Sequence, residues 1–240
     1  VVRKNGGVCI SDEVQTGFGR LGDCFWGYEL HGVTPDIIIL GKPMANGHPM
    51  GAVVTTSEIA NSFENGIEFF SSFGGNPVSC EIALAVLEVV ENEKLQKNAK
   101  EVGEYYKSLL IDLKSKHTWI KDVRGSGLFL GVELSNQTNL KCNKSITHIV
   151  KNELKKNKIL VSSDGPNDNV IKTKPPMCFT KQNAKEVVEA MDSILKSISK
   201  VLSFGVQYAI TIKINWKGAL IKVMFSKVFI ANCSFSLMSK

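Results

Sequence analysis

The chain has 240 residues, 43% of them hydrophobic and 22% charged, with a formal net charge of +6. These are ordinary globular values, sufficient for a substantial core in one large domain or two smaller ones, and no run is long and apolar enough for a membrane-spanning helix. The charge excess does not indicate nucleic-acid binding. Five of the 29 basic residues (Lys213, Lys217, Lys222, Lys227 and Lys240) lie in residues 201–240, where there is no acid, which leaves 24 basic against 23 acidic residues before them. No basic stripe remains to track a phosphate backbone. Cys9, Cys24, Cys80, Cys142, Cys178 and Cys233 show no metal-ligand or CxxC spacing, and the four histidines are equally scattered. No metal site is expected, and a reducing compartment is the natural setting. The chain opens on Val1-Val2 rather than Met, and we expect a longer protein whose targeting signal would lie upstream.

Taken in order, Val8-Cys9-Ile10-Ser11 reads as a buried strand that ends on two acids, Asp12 and Glu13. Gln15 to Gly22 is glycine-rich, but its spacing is not that of a phosphate-cradling loop. Cys24 to His31 suggests a short helix closed by Gly32. The run Pro35-Asp36-Ile37-Ile38-Ile39-Leu40-Gly41-Lys42-Pro43 is apolar on both faces before it breaks. It predicts a fully buried strand of the kind found in parallel sheets, with Lys42 delivered to the cleft where α/β sheets bind ligands. A lysine desolvated there becomes a useful amine nucleophile or base; a surface lysine in a turn is the alternative. Gly51 to Thr56 predicts a strand, and Ser57 to Phe63 a brief helix capped by Thr56 or Ser57. Asn76-Pro77 is an N-cap and first-turn pair for a long helix bearing Val78, Ile82, Val86 and Val90 on one face.

A second helix is expected over residues 95–117, followed by one glycine-punctuated, bulged strand to Leu134. Ile146 to Lys155 predicts a helix, Ile159–Ser162 and Asn169–Thr173 predict strands around an Asp164-Gly165-Pro166 turn, and Lys181 to Ser199 predicts a last amphipathic helix. Strand–helix alternation to about residue 77, linking helices to 117 and an α+β unit to 200 suggest two domains. Residues 201–240 lack clear cap or turn signals. They are either a natural extension or translated non-coding sequence, and no function is attached to them.

Three islands resemble the class-III pyridoxal-phosphate aminotransferases in order and spacing: Ser11-Asp12-Glu13-Val14-Gln15-Thr16-Gly17-Phe18-Gly19-Arg20, Pro35-Asp36 through Gly41-Lys42-Pro43, and Ser72-Phe73-Gly74-Gly75-Asn76-Pro77. The resemblance runs from residue 1 to about 198 and leans toward alanine–glyoxylate aminotransferase 2-like proteins, which include phospho-lyases for ethanolamine phosphate and phosphohydroxylysine. It implies an α/β protein of fold type I. Residues 1–77 would be the C-terminal part of a large domain with a mixed or parallel sheet, 78–117 linking helices, 118–200 a small α+β domain and 201–240 a non-family tail. The cofactor would be pyridoxal 5′-phosphate. Asp12 would pair with its protonated pyridine nitrogen, Val14 would lie against its ring, and Gln15 would sit near its phenolic oxygen. Lys42 would bind the cofactor covalently and then act as proton-transfer base. Ser72 stands where the family carries a threonine that reaches the cofactor phosphate of a neighbouring subunit, which implies a homodimer, or a tetramer built on it, with shared active sites.

Two further positions concern the substrate. Arg124 matches a family position in the small domain and reads as structural or near the site. In Ile171-Lys172-Thr173-Lys174-Pro175-Pro176, Lys172 replaces an arginine that clamps an α-carboxylate in many relatives. Lysine lacks the two-pronged fork that a carboxylate prefers, so the exchange weakens an amino-acid clamp and fits the phospho-lyase branch. A solvated lysine pair at a strand edge is the plain alternative. The resemblance therefore implies an enzyme acting on a small amine, with no nucleic-acid or membrane partner. It would eliminate phosphate from a phosphorylated amine; the alternatives are transamination to glyoxylate or pyruvate, or a catalytically incomplete fragment whose phosphate-binding cup lies upstream of residue 1. The expected location is mitochondrial by resemblance, otherwise cytoplasmic.

Overall fold

A computed structural model describes residues 1–134 and 144–214. Cys142, Cys233 and the tail beyond residue 214 lie outside the described residues. Residues Val1–Leu195 form one compact unit and Lys196–Lys240 are assigned to another. The first unit contains two sheets. In one, β1 (Ile10–Asp12) pairs in parallel with β2 (Ile37–Leu40), and β2 pairs antiparallel with β3 (Ala52–Thr55). The other has the order β4-β5-β7-β6, all neighbours antiparallel, from β4 (Ile120–Ser126), β5 (Phe129–Leu134), β6 (Ser162–Asp164) and β7 (Val170–Thr173).

The helices form where caps and apolar faces coincide. α1 (Ser57–Phe63) starts on Thr56, whose hydroxyl accepts from the Ile59 N–H, and α2 (Pro77–Asn92) starts on Asn76, which accepts from the Ser79 N–H. The buried face of α2 centres on Ser79 and Ala83, with Ile82, Val86 and Val90 half-buried; Val78 is exposed. α3 (Leu95–Lys116) lays Val102, Tyr106, Leu110 and Leu113 against the β4–β5 side of the second sheet. α4 (Lys144–Lys156) buries Ile146, Val150 and Leu154, and α5 (Lys181–Ile214) buries Ala184, Met191 and Leu195. The last helix continues past Ser199, where the sequence reading ended it. His117, at the end of α3, meets Asp192 of α5 at 2.6 Å.

Two expectations are corrected. Residues 120–134 are not one strand but a hairpin: Gly127 at φ +51° turns the chain back, and Ser126 pairs with Phe129. The glycines that looked like interruptions of a strand belong to a tight turn and a close approach. A Cβ on Gly103 of α3 would lie 2.3 Å from the Gly127 carbonyl, and a Cβ on Gly127 would lie 2.4 Å from the Arg20 carbonyl. Helix, hairpin tip and glycine-rich loop therefore touch backbone to backbone. β2 is also not fully buried. It is hydrogen-bonded along both edges, but its faces are only partly covered and Ile39 is 37% exposed.

The segment after β1 is built around one carboxylate. Glu13 is 1% exposed, and its oxygens accept from the hydroxyls of Ser11 (2.8 Å) and Thr16 (2.7 Å) and from the N–H groups of Gly27 (2.8 Å) and Tyr28 (2.9 Å). Phe18, Phe25 and Trp26 close the loop with ring centroids 4.7–5.6 Å apart. Burial alone would push the Glu13 carboxyl up; the donors from Gly27, Thr16, Ser11 and Tyr28 outweigh it and hold the carboxyl below the ordinary value.

Two outcomes are expected. Gly103→Ala forces α3 off the hairpin tip; although alanine favours helix, stability measured by urea unfolding should fall by about 2 kcal/mol. Glu13→Gln turns an amide N–H₂ toward donors and should cost roughly 2–3 kcal/mol at neutral pH. Because the folded carboxyl titrates below its unfolded value, its contribution is complete above the unfolded value and is lost as pH falls toward the folded one. The gap between wild type and Glu13→Gln should therefore narrow with acidification through the ordinary carboxylate range.

Candidate active site

β1 and β2 run in parallel, so both deliver their carboxyl ends to the same edge of the sheet. Asp12 pairs with Ile39, and the Glu13 N–H donates to the Ile39 carbonyl at 2.9 Å. Asp12 and Lys42 therefore leave neighbouring strands on one side. Asp12 is exposed, with Oδ1 accepting from the Val14 N–H at 3.0 Å, an Asx turn that fixes the start of the loop. Val14 lies against Gly41, where an added Cβ would stand 3.6 Å from its Cγ2.

Lys42 opens a 3₁₀ turn, Lys42–Ala45, at φ +31°, an uncommon conformation for a residue with a side chain. Of the two readings the sequence left open, a desolvated lysine or a surface lysine in a turn, the structure shows the second: Lys42 is exposed. The turn is backed by α2, with Ala45 buried and His48 Nε2 2.7 Å from Ser79 Oγ. Ser72 is exposed in the segment leading to Asn76, so the structure links it to the lysine turn through the start of α2.

From the second sheet, Lys174 Nζ donates to Gln15 Oε1 at 2.9 Å. Partial burial, then the positive charges of Arg20, Lys172 and Lys42, push the Lys174 ammonium below the ordinary lysine value. Lys172 instead donates to Asp164 at 2.6 Å, and that contact, with the Gly165 N–H, holds the Asp164 carboxyl down. Arg20 donates to the carbonyls of Leu128 (3.2 Å) and Pro175 (2.8 Å), and its burial lowers its basicity. Arg124 is placed on the β4–β5 hairpin, held by Glu133 (2.7 Å) and Asp122 (3.0 Å).

The structure thus brings Asp12, Val14, Gln15 and Lys42 to one edge and adds Lys174, Arg20 and Glu13, which the sequence reading had not singled out. The signals were faint: Lys174 lies two residues from Lys172 along a strand, and Glu13 hides beside the more obvious Asp12. The donor set matches the groups of pyridoxal phosphate. A carboxylate can face a pyridinium N–H, an amine can condense with an aldehyde, and an amide can serve a phenolic oxygen.

The family model for class-III aminotransferases matches residues 1–195. The chain is 50% identical over 200 residues to an alanine–glyoxylate aminotransferase 2-like protein of Drosophila melanogaster, covering 82% of this chain and 40% of that protein. It is 41% identical to ethanolamine-phosphate phospho-lyase homolog 1 of Caenorhabditis elegans, covering 83% of this chain and 44% of the relative. The chain therefore spans less than half the length of these relatives. Among solved structures, a phospholyase from Arthrobacter in complex with phosphoethanolamine superposes with a TM-score of 0.78 at 39% identity, over 81% of this chain and 46% of that one. An S-selective transaminase from Arthrobacter matches with a TM-score of 0.73 at 30% identity, over 83% and 46%. Relatives from Arabidopsis thaliana and Homo sapiens bear the designation mitochondrial. The chain belongs to the class-III aminotransferase family of fold type I, enzymes that use pyridoxal 5′-phosphate and whose members here are transaminases and phospho-lyases.

Proposed function

We propose that the complete protein is a phospho-lyase that releases phosphate, ammonia and an aldehyde from a phosphorylated amine such as phosphoethanolamine or phosphohydroxylysine. The observation that carries this reading is the character of the cations on the substrate side. Lys174, Lys172 and Arg20 lie close enough to act on one another, next to Gln15, and the arginine fork suited to a carboxylate is replaced by lysine. Such a group favours a compact dianion. The likeness to the Arthrobacter phospholyase supports the same reading.

Lys42 would anchor the cofactor, Asp12 would hold its ring nitrogen protonated, and Val14 and Gln15 would serve its ring and phenolic oxygen. When bound, the cofactor supplies an electron sink beside the substrate nitrogen. Lys42 Nζ then takes the proton from the amine-bearing carbon. The bond from the adjacent carbon to the phosphate oxygen breaks, and phosphate leaves with the electron pair. Lys174, and Lys172 where Asp164 releases it, receive the departing charge. Lys42 returns its proton to the carbon that lost phosphate, and water then releases ammonia and leaves the aldehyde. Ser72 would serve the cofactor phosphate of a second copy, making the enzyme a homodimer, and the mitochondrion is the proposed location.

Transamination is the second reading, favoured by the 50% identity to the alanine–glyoxylate aminotransferase 2-like protein. The complete protein should release inorganic phosphate from phosphoethanolamine or phosphohydroxylysine without a keto acid. Turnover that requires glyoxylate or pyruvate and yields no phosphate would replace the lyase reading. Lys174→Met should raise the KM for the phosphorylated amine about tenfold, the scale of one charge-assisted contact. Lys174→Arg should recover part of the loss, whereas an unchanged KM would remove Lys174 from the substrate side.

A further inference from the structure

We propose that His48 is a positioning residue for Lys42, acting through Ser79. The inference rests on Lys42 being the cofactor-anchoring lysine. Lys42 holds a left-handed backbone conformation at φ +31°, which persists only where its surroundings determine it. The determinants can be followed along the chain. Met44 N–H donates to Gly41, Asn46 to Pro43 and His48 to Ala45, at 3.0, 3.3 and 3.0 Å, so the backbone from Gly41 to His48 is a series of tight turns with little slack. Asn46 is also left-handed, at φ +45°. Such a stack moves as a unit, and its far end is fastened by the 2.7 Å contact from His48 Nε2 to Ser79 Oγ.

The cap beside it leaves the Ser79 hydroxyl able to donate that bond. Asn76 Oδ1 accepts from the Ser79 N–H at 2.9 Å, which fixes the amide so that Nδ2 donates to the Phe73 carbonyl at 2.7 Å and to Ser79 Oγ at 2.9 Å. Ser79 Oγ is thus an acceptor toward Asn76 and keeps its own proton for His48 Nε2, the arrangement in which the ring proton sits on Nδ1. Ser79 is 7% exposed, so this contact is shielded from competing water. The chain His48–Ser79–Asn76–Phe73 then spans from the turn that bears Lys42 to the residue next to Ser72. A stability role alone would not require this path. Asn76 already caps α2 without His48, and Ala45 already packs the turn against the helix. What His48 adds is a directional fix on the lysine turn, referenced to the segment that carries Ser72.

The test uses the complete protein loaded with pyridoxal phosphate and compares His48→Phe, His48→Gln, Ser79→Ala and the double variant His48→Phe/Ser79→Ala. His48→Phe should lower kcat about tenfold with KM within about twofold, as expected for a misplaced reacting group. It should also shift the pH midpoint of the visible absorbance band of the Lys42-bound cofactor, which loss of stability would leave in place. His48→Gln, whose amide oxygen can accept from Ser79, should restore most of both. Ser79→Ala keeps the cap and should reproduce His48→Phe, and the double variant should be no worse than either single change. If His48→Phe fails to fold, Ser79→Ala carries the test by the same readouts. A wild-type kcat and band midpoint in these variants, or additive losses in the double variant, would overturn the positioning role. Borohydride reduction of the wild type separates the two levels. Cofactor fixed on Lys42 with unaltered His48 variants sinks this inference alone, whereas cofactor fixed elsewhere sinks the reading of Lys42 and this inference with it.

Discussion

A buried carboxylate organises the candidate site without belonging to it. Glu13 sits between Asp12 and Val14, and its four donors come from both ends of the loop that runs from Ser11 to Tyr28. A carboxylate this deeply buried is tolerable only when its acceptor sites are filled, and filling them closes the loop. Asp12 in turn accepts from the Val14 N–H in an Asx turn, so the inward-held Glu13 is flanked by two residues proposed to face the cofactor. The Phe18, Phe25 and Trp26 rings fill the space behind it and remove the freedom a glycine-rich segment would otherwise keep.

The same loop also carries the connection to the second sheet. Leu128 N–H donates to the Arg20 carbonyl at 3.0 Å, Ser126 Oγ donates to the Leu21 carbonyl at 3.0 Å, and Arg20 returns to the carbonyls of Leu128 and Pro175. These bonds run along the backbone contact among Gly103, Gly127 and Arg20, so a displacement of the hairpin would be transmitted to the start of the Lys174-Pro175-Pro176 run. Asn98 of α3 secures the other side of that run, donating to the carbonyls of Met177 (2.8 Å) and Phe179 (3.0 Å). The Lys174–Gln15 contact is therefore the end point of a stiff construction rather than a chance meeting of two surface side chains. Position, more than burial, gives this contact its meaning.

The sequence displayed what depends on local chemistry and hid what depends on distant partners. Strand ends at Asp12 and Leu40, the caps Thr56 and Asn76, and the Gly32 stop after a short helix were legible, because each follows from a few adjacent residues. The hairpin at Gly127 was missed because a turn glycine and a bulge glycine look alike until the facing backbone of Gly103 is known. Glu13 was passed over because four donors spread over 18 residues leave no motif. For the same reason the two lysines of the run could not be told apart: only the fold shows that Asp164 holds Lys172 while Lys174 extends to Gln15. The apolar strand before Lys42 could not decide between a desolvated lysine and a surface lysine in a turn; the turn that follows leaves the residue exposed.

The Lys174–Gln15 bond bears on chemistry as well as geometry. A glutamine amide has an acceptor end and a donor end, and a partner that can only donate must take the acceptor. With Oε1 held by Lys174, Gln15 has Nε2 as its remaining end, a donor, so the lysine fixes which way the amide is turned. The two lysines of the Lys172-Thr173-Lys174 run thereby differ in kind. The charge of Lys172 is offset by a carboxylate at 2.6 Å, whereas Lys174 is held by a neutral amide and has no carboxylate partner among the described residues. Arg20 and Lys42 add to that positive field rather than cancel it. An arginine–carboxylate clamp recognises shape through two parallel bonds; an uncompensated ammonium recognises charge and tolerates many orientations. In the proposed elimination, where a group would bind as part of the substrate and depart as free phosphate, the second kind of contact would hold the anion without fixing it in place.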